Sequence, residues 1–436
     1  MRRDVSEPLN YIVTMERGLV QDIVIVGAGI AGLTTSLGLH RLGVPSLVLE
    51  SSDTLRVTGF ALSIWENAWK ALDAVGVGDI LRDQHLQLKG IATTSLVTGQ
   101  QTAAMPLRAT PNLKDLELRC VKRKSMLEVL VNELPKGTVR YLSKVVAIEE
   151  SGFYKILHLA DGTTIKTKVL IGCDGVNSLV AKWLGFKEAS FTGRHSIRGC
   201  ADFKTNHGFE HKSIRFFGKG IRAGAIPCDE KTVYWFFTWI PTGQEKDLEE
   251  NPAKLKQHML KKLENTPCHV RDCIEKTEED GFLSSPLRYR HPWDLMMGNI
   301  SKGNVCIAGD ALHPMTPDLG QGGCCALEDG VVLARCLAKA FPKEAGRDMK
   351  EKDEEEVHYK RIEESLKKYA RERRWRSIDV TTTAYVVGSI QQAESKFVIF
   401  LRENILATFL ASQYLKKSGY DCGKLNSSYP RSYLVK

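Results

Sequence analysis

Asp22-Ile-Val-Ile-Val26, followed directly by Gly27-Ala-Gly29-Ile-Ala-Gly32, is the stretch whose pattern decides the fold. The apolar run ending on glycine reads as a short buried strand, and Leu33, Leu37 and Leu39 continue as a helix until Leu42-Gly43. Ser46-Leu-Val-Leu-Glu50 reads as a second buried strand, which completes a strand-helix-strand unit of a doubly wound parallel sheet. Each glycine then has its own task. Gly27 permits the tight turn, Gly29 lets backbone amides approach a pyrophosphate, and Gly32 allows close helix packing, while the helix N-terminus adds partial positive charge. Glu50 ends the second strand, where a carboxylate can accept hydrogen bonds from ribose hydroxyls. A bound adenine dinucleotide is expected, and this loop serves NAD, NADP and FAD equally.

A second landmark narrows the choice. Asn304-Val-Cys-Ile-Ala-Gly309-Asp310 reads as another strand ending in a Gly-Asp pair, with Ala-Leu-His313-Pro314 after it. Gly320-Gln-Gly322-Gly323 then leads into an apolar helix containing Ala326, Leu327 and Val331. This region offers a carboxylate for a polyol and a second glycine-rich helix start for phosphates. A nicotinamide nucleotide would not require both, whereas a flavin dinucleotide running from Glu50 to a ribityl chain would.

Between the two landmarks the pattern changes. Trp65, Ala68, Leu72 and Val75 predict a helix over 64–81 with an end at Gly76, and Ser125-Met-Leu-Glu128 predicts a capping box that opens another. Strands are predicted over 139–148 and 154–159, and a third over 164–169 follows the turn Asp161-Gly162. From Ser190 to Pro286 the strands become aromatic, with Tyr234, Trp235, Phe236, Phe237 and Trp239 nearly contiguous. Alternation puts Trp235 and Phe237 on one face and Tyr234 and Phe236 on the other. Gly218-Lys-Gly220-Ile-Arg-Ala-Gly224 has the wrong spacing for a second dinucleotide fingerprint and reads as a turn. The charged run from Lys339 to Arg376 reads as a solvated helix face with local ion pairs.

These elements predict an α/β (α+β) protein: a Rossmann-like FAD-binding domain in two parts, 20–190 and 291–380, with a mainly β substrate domain inserted at 191–290 and a C-terminal helical region at 381–436. The length of 436 residues fits two domains, and 43% hydrophobic with 26% charged residues is the balance of a globular protein rather than a disordered or fibrous one. A net charge of +9 is too diffuse to argue for nucleic acid. Eleven cysteines without a CxxC pair suggest free thiols in a reducing compartment, with no structural metal. The apolar runs 397–401 and 405–411 are separated by Arg402, Glu403 and Asn404, so no transmembrane segment is expected. The acidic residues near the start argue against a secretory signal, and a cytoplasmic location is expected, with a plastid as the alternative.

The dinucleotide loop with Glu50, Cys173-Asp174-Gly175 after Val169-Leu-Ile-Gly172, and Gly309-Asp310 with His313-Pro314 together resemble the single-component FAD-dependent aromatic hydroxylases, which include salicylate and urate hydroxylases and zeaxanthin epoxidase. The tail from Tyr385-Val-Val-Gly388 to Asp421-Cys-Gly423 is most similar to the plant FAD-dependent monooxygenases. The resemblance implies that Gly27, Gly29 and Gly32 meet the FAD pyrophosphate, Glu50 the adenosine, and Arg123 the flavin phosphates and ribityl chain. It puts Asp174 and Gly175 in a motif associated with FAD and NAD(P)H, Gly309 and Asp310 at the ribityl chain, and the loop from Pro314 through Gly320, Gly322 and Gly323 along the isoalloxazine. Arg198 and His313, with Pro314, are its candidates beside the reacting ring.

The implied chemistry is reduction of the flavin by NAD(P)H, reaction with O2, and delivery of one oxygen atom from a flavin hydroperoxide to a small aromatic or alkaloid-like metabolite. The alternatives are an isoprenoid epoxidase, a flavin oxidase or dehydrogenase, and a non-catalytic binding protein of the same fold. Arg198, Arg215, Arg222 and Tyr234 could hold a phenol or carboxylate, and Trp235 is a further candidate on the aromatic strand, whose main role is expected to be core. A monomer or homodimer is expected.

Overall fold

The computed structural model describes residues 20–425 apart from 56–59, 108–115, 219, 244–247, 249–250, 265–267, 343–350, 394 and 402–406. The separating residues 402–404 and the start of the apolar run at 405 lie outside the described residues. The chain begins with β1 (Gln21–Val26), α1 (Ile30–Arg41) and β2 (Leu47–Leu49), continues through β3 (Ala61–Ile64), α2 (Glu66–Val75) and α3 (Gly78–Gln84), and adds the hairpin β4 (Gly90–Ser95) and β5 (Gln101–Pro106). After β6 (Arg119–Lys122) come α4 (Arg123–Asn132), β7 (Val139–Arg140), β8 (Val145–Ser151), β9 (Tyr154–Leu159), β10 (Thr164–Gly172) and α5 (Leu179–Trp183). The next strands are β11 (Ser190–Asp202), β12 (Lys212–Gly218), β13 (Ile221–Pro227) and β14 (Thr232–Trp239). Then follow α6 (Pro252–Lys262), α7 (Cys268–Lys276), β15 (Phe282–Tyr289), α8 (Pro292–Met297), β16 (Ser301–Lys302) and β17 (Val305–Ile307). The helices α9 (Gly322–Leu337), α10 (Glu351–Gln391), α11 (Lys396–Leu401) and α12 (Ala407–Ser418) close the chain.

The first sheet is the predicted doubly wound one. β17, β10, β1, β2 and β7 run parallel in that order, so the tips of β1, β10 and β17 lie side by side and bring Gly27, Cys173 and Ala308 together. Strands buried on both faces must be apolar throughout, as Ile23, Val24 and Ile25 are, with at most 1% exposure.

The second sheet has the order β15-β11-β14-β13-β12-β4-β5. Its β11 to β15 portion lies within residues 190–289, but β4 and β5 come from ahead of β6. β4 pairs in parallel with β12, from Gly90↔Lys212 to Ser95↔Phe217. An unpaired β12 edge would leave a row of backbone donors and acceptors open, and β4 covers it. The Gly218/Gly220 segment is the β12–β13 turn, with φ of +134° and +71°.

β14 is buried on both faces, with the predicted alternation. Trp235, Phe237 and Trp239 pack in an apolar cluster with Leu255, Met259 and Ile274 of α6 and α7, while Tyr234 and Phe236 belong to the main core on the other side. Trp235 Nε1 donates to Thr277 Oγ1 at 2.8 Å. Trp235 is therefore core and not substrate contact, because its face of the sheet is covered by helices. Trp235→Ala is expected to lower stability by about 3–5 kcal/mol, read by chemical denaturation, without altering flavin binding.

Three local expectations change. The expected end at Gly76 is present, at φ +81°, and closes α2, but the residues up to 81 belong to a separate helix, α3, that starts at Gly78. Ser125 is not an N-cap: β6 runs straight into α4, Lys122 is the cap, and its N–H is accepted by His85 Nε2 at 3.1 Å. The charged run enters α10, but Arg373 and Arg376 turn inward, at 0% and 9% exposure, to neutralise buried carboxylates on α9. Among the described residues the cysteines are free thiols, no group of side chains is placed to hold a metal ion, and no helix is long and apolar enough to cross a membrane.

Candidate active site

A cleft runs from the tips of the parallel strands to the inner face of the second sheet, in two adjoining cavities that share Gly29, Arg123, Cys173 and Gly175. At its outer end the three glycines of the first loop stand in different backbone environments. Gly27 sits at φ +103°, and a Cβ there would stand 2.4 Å from the Cys173 carbonyl oxygen. A Cβ on Gly32 would lie 2.0 Å from the Gly27 oxygen, so this glycine holds α1 against the turn. Gly29 differs from both: nothing lies within 4 Å of its would-be Cβ, which points into the open cleft. α1 starts immediately after it, with its first N–H groups facing the same space.

Glu50 lies at this end, 8% exposed, with Oε2 accepting the Ala28 N–H at 3.0 Å and Oε1 the Ser52 N–H at 2.9 Å. Ser143 and Lys144 line the cavity beside it. Asp174 also borders this cavity, but its carboxylate is occupied in starting α5, accepting from Leu179 N–H at 2.7 Å and the Ser178 hydroxyl at 2.5 Å. Burial raises its pKa. Gly175, at φ +81° with open space where a Cβ would be, borders the cleft directly.

At the inner end the cleft is bounded by the loop after β17. Asp310 is exposed to the cavity, and among the described residues nothing is bonded to its carboxylate. Gly320, at φ +64°, and Gly322 and Gly323 at the start of α9 line the same wall. His313 and Pro314 do not. His313 is fully buried with Nε2 2.6 Å from Asp329 Oδ2, and the Pro314 carbonyl accepts the Arg290 N–H at 2.9 Å. The turn Gly309–Ala311 directs the chain inward for these residues, and it is Met315, Thr316 and Pro317 that return to the cavity.

Facing this loop is the second sheet. Ser196, Arg198, Arg215, Arg222, Tyr234 and Phe236 line the cavity from four adjacent strands. Arg198 donates to Ser285 Oγ at 2.8 Å. Arg215, 4% exposed, donates to Ser213 Oγ at 3.1 Å and stands 4.8 Å over the ring of Tyr414 from α12; burial pushes its pKa down. Arg222 covers the Phe236 ring at 4.6 Å and shares Asp318 with Arg194, which grips that carboxylate through two nitrogens at 3.3 and 2.9 Å. Two guanidiniums, Arg194 and Arg222, therefore share Asp318, and among the described residues no acid pairs with Arg198 or Arg215. Burial also pushes the Tyr234 phenol well above its usual range, so it stays a neutral hydroxyl.

The open side of Gly29, the uncommitted Asp310 and the two glycine-started helices fit a long dinucleotide with a phosphate bridge and a polyol. A family model described as FAD binding domain matches residues 21–360. The chain belongs to that family. It is 52% identical over 411 residues to Monooxygenase 2 of Arabidopsis thaliana, covering 94% of this chain and 100% of that one. It is 25% identical over 313 residues to the FAD-dependent urate hydroxylase of Klebsiella pneumoniae, covering 71% and 79%. The fold is shared with Klebsiella pneumoniae HpxO, solved with FAD and uric acid, at a TM-score of 0.74 and 23% identity over 91% of this chain and 96% of that one. This member of the FAD binding domain family is thus an FAD-dependent monooxygenase of the aromatic-hydroxylase type.

Several residues of the site escaped the sequence. Arg194 and Ser196 alternate along one strand with the expected candidate Arg198, a signal that was available from the period of two. Asp318, Asp329, Arg373 and Tyr414 carry no such mark, because their partners are 16 or more residues away in sequence.

Proposed function

We propose that this chain is an NAD(P)H-dependent hydroxylase that inserts one atom of O2 into a small anionic aromatic compound, held by Arg215 and Arg198. The observation that carries this is the pair of cavity-facing guanidiniums without a carboxylate partner among the described residues. An isolated buried cation is costly unless a counter-charge joins it, and an anionic substrate supplies one. An isoprenoid epoxidase would instead call for a longer, drier wall, which these arginines do not provide.

In this reading Gly27 to Gly32 receive the pyrophosphate, Glu50 the adenosine ribose, Arg123 the junction of phosphate and polyol, and Asp310 the ribityl chain. FAD, when bound, supplies electrons from NAD(P)H and an activated oxygen atom from O2. The protein's part is to orient the ring. Arg198 and Arg215 anchor the anionic edge, Tyr234 offers a neutral hydroxyl and Phe236 an aromatic face, with Met315 to Pro317 closing the opposite side and displacing water.

The test is a visible spectrum of the purified protein, followed by anaerobic addition of NADPH or NADH with phenolic, indolic, isoprenoid and aromatic-carboxylate compounds in turn. The expected result is a yellow protein whose bleaching accelerates with anionic aromatics and not with their neutral isosteres. A colourless protein that takes up no added FAD, or bleaching accelerated by isoprenoids alone, would overturn it. Asp310→Ala is expected to remain folded and to bind FAD on the order of tenfold more weakly, the cost of one hydrogen bond to a charged group. Retention of full FAD affinity would remove Asp310 from the ribityl site.

A further inference from the structure

The loop 309–321 that borders the inner end of the cleft is tied at both ends to two neighbouring, fully buried carboxylates on α9. Asp329 Oδ2 accepts the Gly309 N–H at 2.7 Å and lies 2.6 Å from His313 Nε2, while its Oδ1 accepts Arg373 Nε at 2.6 Å. Glu328 takes the far end: Asn67 Nδ2 reaches Glu328 Oε1 at 2.5 Å and Gln321 Oε1 at 2.9 Å, and Gln321 is the residue at which α9 starts. Arg373 and Arg376 of α10 each stand 2.7 Å from Glu328, which cross-ties the pair.

Holding α9 against α10 does not call for ions. A buried cluster of this kind is often no more stable than apolar residues of the same volume. What apolar residues could not do is accept the Gly309 N–H in a turn at φ +61°, where even a Cβ would come 2.8 Å from Ala31 at the start of α1. Burial opposes the charge on Asp329, but His313, Arg373 and the Gly309 N–H outweigh it and hold the carboxyl at about 2. The acceptor is therefore ionised at any working pH. Gly309 and Asp310, next to it in the chain, both line the cavity, and Asp310 is the one that brings a carboxylate to it.

We propose that Asp329 is a positioning residue for FAD: through Gly309 and His313 it fixes the turn that aims the Asp310 carboxylate at the cofactor's polyol. This rests on the reading that the cleft takes FAD with Asp310 at the ribityl chain. It gives His313 a supporting place behind the site, not a proton-transfer role.

The experiment is a double-mutant cycle in FAD affinity, measured by flavin fluorescence on apoprotein of the wild type, Asp329→Asn, Asp310→Asn and the double variant, with the apoprotein melting midpoint of each. Asp329→Asn is expected to weaken FAD binding about tenfold or more, as supporting partners of a bound group commonly do. The double variant should be at most about threefold weaker than Asp310→Asn alone, because the two act as one unit. A merely structural Asp329 would lower the melting midpoint while the two factors multiply. That outcome, or unchanged FAD affinity in Asp329→Asn, overturns the proposal.

If Asp329→Asn does not fold, Asp329→Glu, which keeps the charge but displaces the oxygen that accepts the Gly309 N–H, carries the same test. Weaker FAD binding that vanishes in the Asp310→Asn background supports the proposal, and unchanged affinity overturns it. Wild-type apoprotein that binds no FAD would instead refute the underlying reading of the cleft.

Discussion

Gly29→Val is expected to yield a protein that folds and melts like the wild type but takes up no FAD. The side chain at this position would extend into the open cleft and touch nothing within 4 Å of its Cβ, so the apoprotein has no reason to change. The same space is where a pyrophosphate must come to reach the first N–H groups of α1. Loss of two charge-assisted hydrogen bonds there is worth about 3 kcal/mol or more, at least a hundredfold in affinity. Gly32→Ala is the contrasting control, since its Cβ would lie 2.0 Å from the Gly27 oxygen and the apoprotein itself should lose stability. Flavin fluorescence titration and apoprotein melting separate the two. Normal FAD affinity in Gly29→Val would show that the first loop is not the pyrophosphate site.

Arg215→Leu is expected to abolish the acceleration of flavin bleaching by anionic aromatics while sparing that by neutral ones. Truncating one partner of a buried charge pair costs about 2–5 kcal/mol, so the anion concentration giving half-maximal acceleration should rise by roughly thirtyfold or more. The effect on stability has the opposite sign. Among the described residues Arg215 has no carboxylate partner, and burial already disfavours its charge, so replacing it with an apolar side chain should leave the substrate-free protein as stable or more so. Anaerobic bleaching with matched carboxylate and amide compounds measures the first effect, and thermal melting the second. Equal loss with both compound classes would mean that Arg215 supports the sheet instead of recognising charge.

The cofactor end of the site was legible because its signals are local. Gly27, Gly29, Gly32 and Glu50 fall in one strand-helix-strand unit, and Gly309 to Gly323 in one loop and helix start, so spacing along the chain is also spacing in the cleft. Errors arose where a residue's neighbour is distant in sequence. His313 and Pro314 follow Gly309-Asp310 directly, yet the turn sends them inward, and only the Asp329 and Arg290 contacts reveal it. Trp235 and Tyr234 are adjacent and face opposite environments; alternation separated them, but only α6 and α7 showed which face is covered. The charged run before Arg376 reads as solvated on composition, because nothing local announces that Glu328 and Asp329 are buried and need guanidiniums.

By itself, then, the sequence determined the doubly wound sheet, its dinucleotide loop, the second glycine-rich helix start and the aromatic second sheet, since backbone turns and strand periodicity are set by neighbouring residues. Only the tertiary structure decided that β4 completes the second sheet against β12, that Arg198 and Arg215 face the cavity without a carboxylate, and that Asp329 stands behind the Gly309–Asp310 turn. These are matters of charge balance and edge pairing between remote segments. Burial makes an unmatched charge or an open strand edge expensive, and which groups are matched is known only once the remote segments have met.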